Sequence, residues 1–305
     1  MTGTVLWGVN NIYAVRTSSG QIECRIKGKI LSGEEKAYNP LAPGDYVEIE
    51  VEKGDEAKGM IIRRNTRKNR FARWNKKRQA PQVIAANIDG CFCITSPESP
   101  PFRPRFIDRV TVTAAGAAIP VTVVCNKADQ QIPGQVHSRL SSYGEAGYAV
   151  VYSSAVTGAG MEEIFSMLAG RRVLFLGQSG VGKSTMINFL IPGLQRKTAD
   201  ISSKYNRGKH TTVYSELLEG EGFELIDTPG IREIELFEIQ AQDLGHYFPD
   251  IVPYLGSCRF PSCRHVHEPD CGVKQALEEG KIHHDRYESY CRMLADIEEK
   301  EQFYG

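Results

Sequence analysis

The sequence predicts a multidomain chain of three modules: a small N-terminal β-barrel, a central α/β domain on a mainly parallel sheet, and a C-terminal helical segment organised by a metal cluster. Three observations carry this expectation. Short alternating runs fill residues 1–70, strand-like and helical runs alternate from about residue 83, and three cysteines with a histidine crowd between Cys258 and Cys271. At 305 residues, 41% hydrophobic and 24% charged, the chain has material for ordinary globular cores, which excludes collagen-like, disordered and small disulfide-rich classes. Its apolar runs fall far short of the ~20 residues that span a bilayer. The first residues, MTGTVLWGVNN, lack the basic and apolar regions of a secretory signal, so a soluble, cytoplasmic protein with no membrane partner is expected.

In the first module Val47, Ile49 and Val51 alternate with Glu48 and Glu50 behind a Pro43-Gly44-Asp45 turn, the pattern of a half-buried strand. Further strands are expected at 4–9, 13–15, 22–26 and 59–63. About five short strands in so small a segment suggest a closed barrel, of which the oligonucleotide-binding (OB) fold is the commonest basic example. Charge agrees. The chain balances 37 Lys/Arg against 37 Asp/Glu, yet residues 1–88 hold 16 basic and 9 acidic side chains. Residues 57–88 contain Lys58, Arg63, Arg64, Arg67, Lys68, Arg70, Arg73, Lys76, Lys77 and Arg78 with no acid, and Phe71 and Trp74 are interleaved. A charge run alone is equally well a solvated linker; interleaved aromatics favour nucleic acid. The expected organisation is an RNA-binding barrel at 1–70, a basic linker at 71–82, the α/β domain at 83–236 and the metal-binding helical domain at 237–305.

In the central module strands are expected at 88–95, 121–125, 149–153, 173–176 and 223–226, with helices at 106–118, 136–143, 161–168 and 183–191. Such alternation builds a parallel sheet whose ligands bind beyond the carboxyl ends of the strands. The run Gly177-Gln178-Ser179-Gly180-Val181-Gly182-Lys183-Ser184-Thr185 fits the phosphate-loop pattern between a strand and a helix. Its backbone N–H groups would surround phosphates, Lys183 would reach the outer ones, and Ser184 would offer a hydroxyl to magnesium. Asn126-Lys127-Ala128-Asp129 supplies what guanine requires, a carboxylate accepting from the ring N–H and the amino group with an amide beside it, and Ser154-Ala155 would give a backbone N–H to the guanine carbonyl. Asp227-Thr228-Pro229-Gly230 closes another strand, where Asp227 would hold magnesium through water and the Gly230 N–H would meet the γ-phosphate. In Arg207-Gly208-Lys209-His210-Thr211-Thr212, Thr212 is the candidate third group on magnesium; a surface loop is the alternative. Ile231 stands where a glutamine often orients the attacking water, so intrinsic hydrolysis should be slow, and His210 is the nearest polar replacement.

In the third module Cys258, Cys263, His265 and Cys271 form a closed tetrahedral donor set for one structural zinc ion, with His267 a possible substitute and a disulfide plus spare thiol the alternative. Cys24, Cys91, Cys93 and Cys125 lie in apolar runs as small hydrophobes. A final helix is expected at 273–301.

GTPases normally run phosphate loop, switch threonine, Asp-x-x-Gly, Asn-Lys-x-Asp, then Ser-Ala; here the last two come first, so the domain is circularly permuted. With a barrel ahead, a Cys-Cys-His-Cys cluster behind and Gly-Lys-His-Thr-Thr between, the whole chain resembles the ribosome small-subunit-dependent GTPase A family (RsgA or YjeQ). The resemblance implies a P-loop GTP hydrolase acting late in small-subunit assembly, monomeric, with zinc and with magnesium-bound GTP. Its partners would be GTP or GDP and the small ribosomal subunit with its rRNA. It implies hydrolysis stimulated by that subunit and coupled to release, with His210, Lys183 and Thr212 as the catalytic set. The competing readings are a P-loop ATPase or kinase, against which Asn126 and Asp129 argue, and an RNA-binding scaffold whose GTP site is a switch without significant turnover.

Overall fold

Strands β1 (Thr2–Val9), β2 (Ile12–Thr17), β3 (Gly20–Ile26), β4 (Tyr46–Glu52) and β5 (Asp55–Arg64) close a barrel in the order β1-β2-β3-β5-β4. The computed structural model describes residues 1–28, 37–52, 54–194, 214–231 and 233–304. Alternation decides which side chains turn inward. Val5, Val15, Ile22, Cys24, Val47, Ile49 and Ile61 form the barrel core, while Glu48 and Glu50 face outward between them. β1 pairs with β4 and β3 runs parallel to β5, the Greek-key closure of an OB barrel, which leaves no free sheet edge.

The stretch 71–82, expected as a linker, lies instead in an antiparallel hairpin of β6 (Arg70–Asn75) and β7 (Ala80–Ala86). Phe71 anchors the hairpin in the core of the central domain, and Lys76, Lys77 and Arg78 are exposed at its tip. The basic run therefore divides. Arg67 is 5% exposed and forms a two-pronged pair with fully buried Asp45, Nε to Oδ1 and Nη2 to Oδ2 at 2.7 Å each, so it braces the barrel exit. Arg70 pairs with Glu238, and Lys68 with Asp89.

The central sheet has the order β10-β9-β8-β11-β13-β12, built from β8 (Gly90–Thr95), β9 (Val121–Cys125), β10 (Ala149–Tyr152), β11 (Arg172–Gly177), β12 (Glu216–Gly220) and β13 (Phe223–Asp227). All neighbours are parallel except the edge strand β12. Successive residues feed opposite cores. Cys91, Cys93, Leu174 and Leu176 meet α1 (Pro104–Gly116) and α2 (Gly134–Glu145); Phe92, Ile94, Val173 and Phe175 meet α3 (Met161–Leu168) and α4 (Lys183–Leu190). A sheet covered on both faces needs continuous apolar strands, which is what made β8, β9 and β11 visible in the sequence. Burial raises the pKa of the Cys91, Cys93 and Cys125 thiols and keeps them protonated.

The expected helix at 273–301 is two helices, α5 (Gly272–Glu278) and α6 (His284–Tyr304). The Gly280 N–H donates to Leu277 and the Lys281 N–H to Ala276, which ends α5 and turns the chain. This module is locked to the central domain by buried charge. Arg286 at the start of α6 is fully buried, with Nη1 2.9 Å from Asp108 of α1 and Nε 2.8 Å from Asp250. Arg139 of α2 joins Asp108 at 2.6 Å and Asp285 at 2.7 Å. Among the described residues no helix is long and apolar enough to cross a membrane.

Candidate functional site

The motifs, scattered along the chain, meet at one end of the sheet. Register brings Gly177 beside Ile94, Thr95 beside Cys125, Cys125 beside Tyr152 and Phe175 beside Asp227, so the phosphate loop, Asn126-Lys127-Ala128-Asp129, Ser154-Ala155 and Asp227-Thr228-Pro229-Gly230 all leave the carboxyl edge together. This is where an open parallel sheet binds ligands. His210, Thr211 and Thr212 lie outside the described residues.

The phosphate loop turns from β11 into α4, with Ser179 and Gly180 exposed at its apex and Ser184 and Thr185 half-buried at the helix start. The buried Lys183 Nζ donates to the Gly177 and Gln178 carbonyls at 2.7 and 2.9 Å. Burial brings its pKa down to about 8, against the opposing charge of the Asp227 carboxylate. A cation held this way gains a strong partner when a phosphate arrives.

Asn126 is 2% exposed and braces two loops at once. Its Nδ2 donates to the Val181 carbonyl at 2.8 Å, and its Oδ1 accepts from the Ala155 N–H at 3.1 Å. Gly182, at φ +96°, gives room for this: a Cβ there would lie 2.2 Å from Asn126 Nδ2. Lys127 reaches across to donate to the Ser99 carbonyl, and the Ala128 N–H donates to Ser153 at 2.9 Å. Asp129, three residues on from Asn126, is exposed. Ser154 is buried, and its Oγ accepts from the Thr157 N–H at 3.2 Å, shaping the loop that presents Ala155.

Asp227 is 3% exposed at the end of β13. Thr228 Oγ1 donates to the Phe175 carbonyl at 2.7 Å and ties the following turn to β11. Gly230 comes so near the phosphate loop that a Cβ would lie 2.6 Å from the Ser179 nitrogen. Ile231 is buried in the central core, so it offers water nothing. The contacts of Ser99, Val181 and Thr228 were invisible as motifs, since two of the three act through backbone carbonyls.

The second constellation is the cluster Cys258, Cys263, His265 and Cys271, whose ligand atoms all lie within 4.8 Å of one another. Cys258 Sγ is 3.8 Å from Cys271 Sγ and 3.3 Å from His265 Nδ1. Tetrahedral zinc with bonds of ~2.3 Å to sulfur separates two thiolates by about 3.8 Å, so the donor set fits that ion. His267 is exposed and outside the group, and no disulfide joins these cysteines. Burial lowers the His265 pKa and favours the neutral, ligating imidazole. Burial pushes Glu268 up, but N–H donors from Arg264, Val266 and His267 outweigh it and bring it to about 2. An acid inside Cys-x-His-x-His-Glu is the signal that marks Glu268 as the organiser of this loop.

The family model described as RsgA GTPase matches residues 64–237, and that of the RsgA N-terminal domain matches residues 2–61. The chain belongs to the RsgA GTPase family. The small ribosomal subunit biogenesis GTPase RsgA of Bacteroides fragilis (strain YCH46) is 39% identical over 307 residues, covering 98% of each chain. That of Borrelia recurrentis (strain A1) is 40% identical over 298 residues, covering 97% of this chain and 94% of its own. The crystal structure of YjeQ from Thermotoga maritima superposes with a TM-score of 0.74 at 30% identity, covering 97% of this chain and 98% of that one. YloQ, a circularly permuted GTPase, follows at 0.70 and 25%, covering 98% and 95%. As an RsgA-family member the chain is a GTP hydrolase with an N-terminal barrel and a permuted central domain.

Proposed function

We propose that this GTPase binds the small ribosomal subunit, hydrolyses GTP faster when bound, and uses hydrolysis to leave the subunit late in its assembly. The observation that carries this reading is the attachment of the basic hairpin to the segment that follows Asp227-Thr228-Pro229-Gly230. Trp74 lies 6.3 Å from Phe237 between ring centroids, Lys76 Nζ lies 3.5 Å from Glu235 Oε2, and Arg70 pairs with Glu238. RNA phosphates at the hairpin tip would compete with Glu235 for Lys76, so docking and the γ-phosphate loop share one lever. Relatives spanning nearly the whole chain carry small ribosomal subunit biogenesis in their names.

In this reading residues 1–70 and the hairpin take RNA, 83–236 take the nucleotide, and 237–305 form a zinc-held module, in a cytoplasmic monomer. Asn126 holds the loops around guanine, Asp129 accepts from the base, and the Ala155 and phosphate-loop N–H groups meet the nucleotide oxygens. Ser184, Thr212 and Asp227 would hold magnesium, which neutralises developing phosphate charge, and Lys183 stabilises the outer phosphates. His210 orients the attacking water in place of Ile231. Co-sedimentation with purified small and large subunits tests the reading: retention on small subunits with a non-hydrolysable GTP analogue and loss with GDP is expected. Equal binding to both subunits, or in both nucleotide states, contradicts it.

A further inference from the structure

We infer that Trp7, in the barrel, is a positioning residue for GTP hydrolysis, acting through Tyr214 on the strand pair that presents Asp227. Strict alternation along β1 would put Trp7 on the same side as Val5, inside the barrel. A bulge between Val5 and Trp7 breaks the register with β2 and re-aims the strand. Val5 stays in the barrel core, Leu6 packs against the central-domain core, and Trp7 meets Tyr214 with ring centroids 5.9 Å apart. The barrel thus spends one of the chain's two tryptophans outside its own core.

What Trp7 meets leads to the site. Tyr214 lies two residues before β12, whose first residue, Glu216, is the register partner of Asp227. At the far end of the same strand pair, Arg16 of β2 forms ion pairs with Glu219 of β12 and Glu224 of β13, and Arg172 of β11 joins Glu224 at 2.6 Å. The barrel therefore holds β12 and β13 at both ends, by ring contact near Asp227 and by charge at the turn. A strand fixed at two points has little freedom to shift its terminal carboxylate, so moving or loosening Trp7 alters where Asp227 stands. The inference rests on the assignment of Asp227 to the magnesium side of the site.

Steady-state GTP hydrolysis and GDP affinity of the full-length protein test it, with Trp7→Ala, Trp7→Phe, Tyr214→Ala, the double alanine variant and Asp227→Asn compared. Trp7→Ala should lower kcat about three- to tenfold, the range a lost aromatic pair supplies, while GDP affinity stays within about twofold. Trp7→Phe, which keeps the ring contact, should restore most of the rate. Tyr214→Ala should match Trp7→Ala, and the double variant should be no worse than either. In Trp74→Phe, where Trp7 is the sole tryptophan, emission should differ between GDP and a non-hydrolysable GTP analogue. A parental kcat for Trp7→Ala while Asp227→Asn is inactive overturns the Trp7 inference alone. So does multiplication of the two alanine effects, or a rate that Trp7→Phe fails to restore. A parental rate for Asp227→Asn removes the magnesium assignment itself.

Discussion

Asn126 and Val181 lie 55 residues apart in the chain, and the Asn126 side-chain amide donates to the Val181 carbonyl at 2.8 Å, joining the guanine motif to the phosphate loop. The same side chain accepts from Ala155, so one buried amide sets the spacing of three segments at the carboxyl edge of the sheet. Asn126→Ala should weaken GTP and GDP about equally, by roughly 10- to 100-fold, since a buried hydrogen-bonded amide is worth ~1–3 kcal/mol when its partners are left unmet. Titration with fluorescent GDP and GTP analogues measures this. A loss confined to one nucleotide would argue against a bracing role.

Asp129 is exposed, as a residue that accepts from a bound base must be in the nucleotide-free protein. Replacing it by asparagine should move preference from guanine toward xanthine nucleotides, because xanthine carries a carbonyl where guanine carries the amino donor. Competition between GTP and XTP reads the change, and unaltered GTP affinity would remove Asp129 from the base site.

Lys183 gives a pH signature. Its pKa is lowered by burial from 10.5 to about 8, so between those values the unfolded chain holds a proton that the folded, nucleotide-free chain has released. Lys183 by itself therefore makes the nucleotide-free protein more stable as pH rises across that window, whereas the buried Cys91, Cys93 and Cys125 thiols, which release protons only on unfolding there, act in the opposite direction. Nucleotide affinity should fall above about pH 8, by up to roughly tenfold per unit, because binding phosphate requires the ammonium to be reloaded. GDP titrations from pH 7 to 9.5 test this, with Lys183→Ala expected to bind weakly and without that slope.

Zinc removal should act on the C-terminal module first. Structural zinc contributes ~10–16 kcal/mol of apparent binding free energy in small modules at neutral pH, so Cys263→Ser or chelation should loosen 237–304. Arg286→Ala should cost ~3–5 kcal/mol by leaving Asp108 and Asp250 buried without it. Hydrogen exchange would localise both losses, and GDP binding should survive the zinc loss; metal analysis finding no zinc in reduced protein would refute the site.

The nucleotide motifs were legible because each sits where an apolar strand ends, and parallel register delivers strand ends to one edge. The barrel was legible through alternation, as at Val47 and Ile49. The hairpin was not, since Arg70, Arg73 and Lys76 mask the strand pattern around Phe71. β12 was missed for a similar reason: Glu216 and Glu219 flank only two apolar residues, and it is an edge strand held by pairing with β13. Arg67 read as one more charge in a basic run because its partner Asp45 is 22 residues away, and only the fold shows that pair to be buried. In the C-terminal segment the helical period continued through Gly280, where backbone caps divide α5 from α6.

Coupling of subunit docking to turnover is measured by multiple-turnover GTP hydrolysis, with and without purified small subunits, for the parental protein and for the Lys76→Ser, Lys77→Ser, Arg78→Ser triple variant. Partner-completed GTPases gain about 10³–10⁵-fold, so slow intrinsic turnover is expected, with a large rise on small subunits and a variant of parental intrinsic rate but much reduced, less salt-sensitive stimulation. Turnover that small subunits leave unchanged, or stimulation that the triple variant retains in full with the same salt dependence, would contradict coupling through the hairpin.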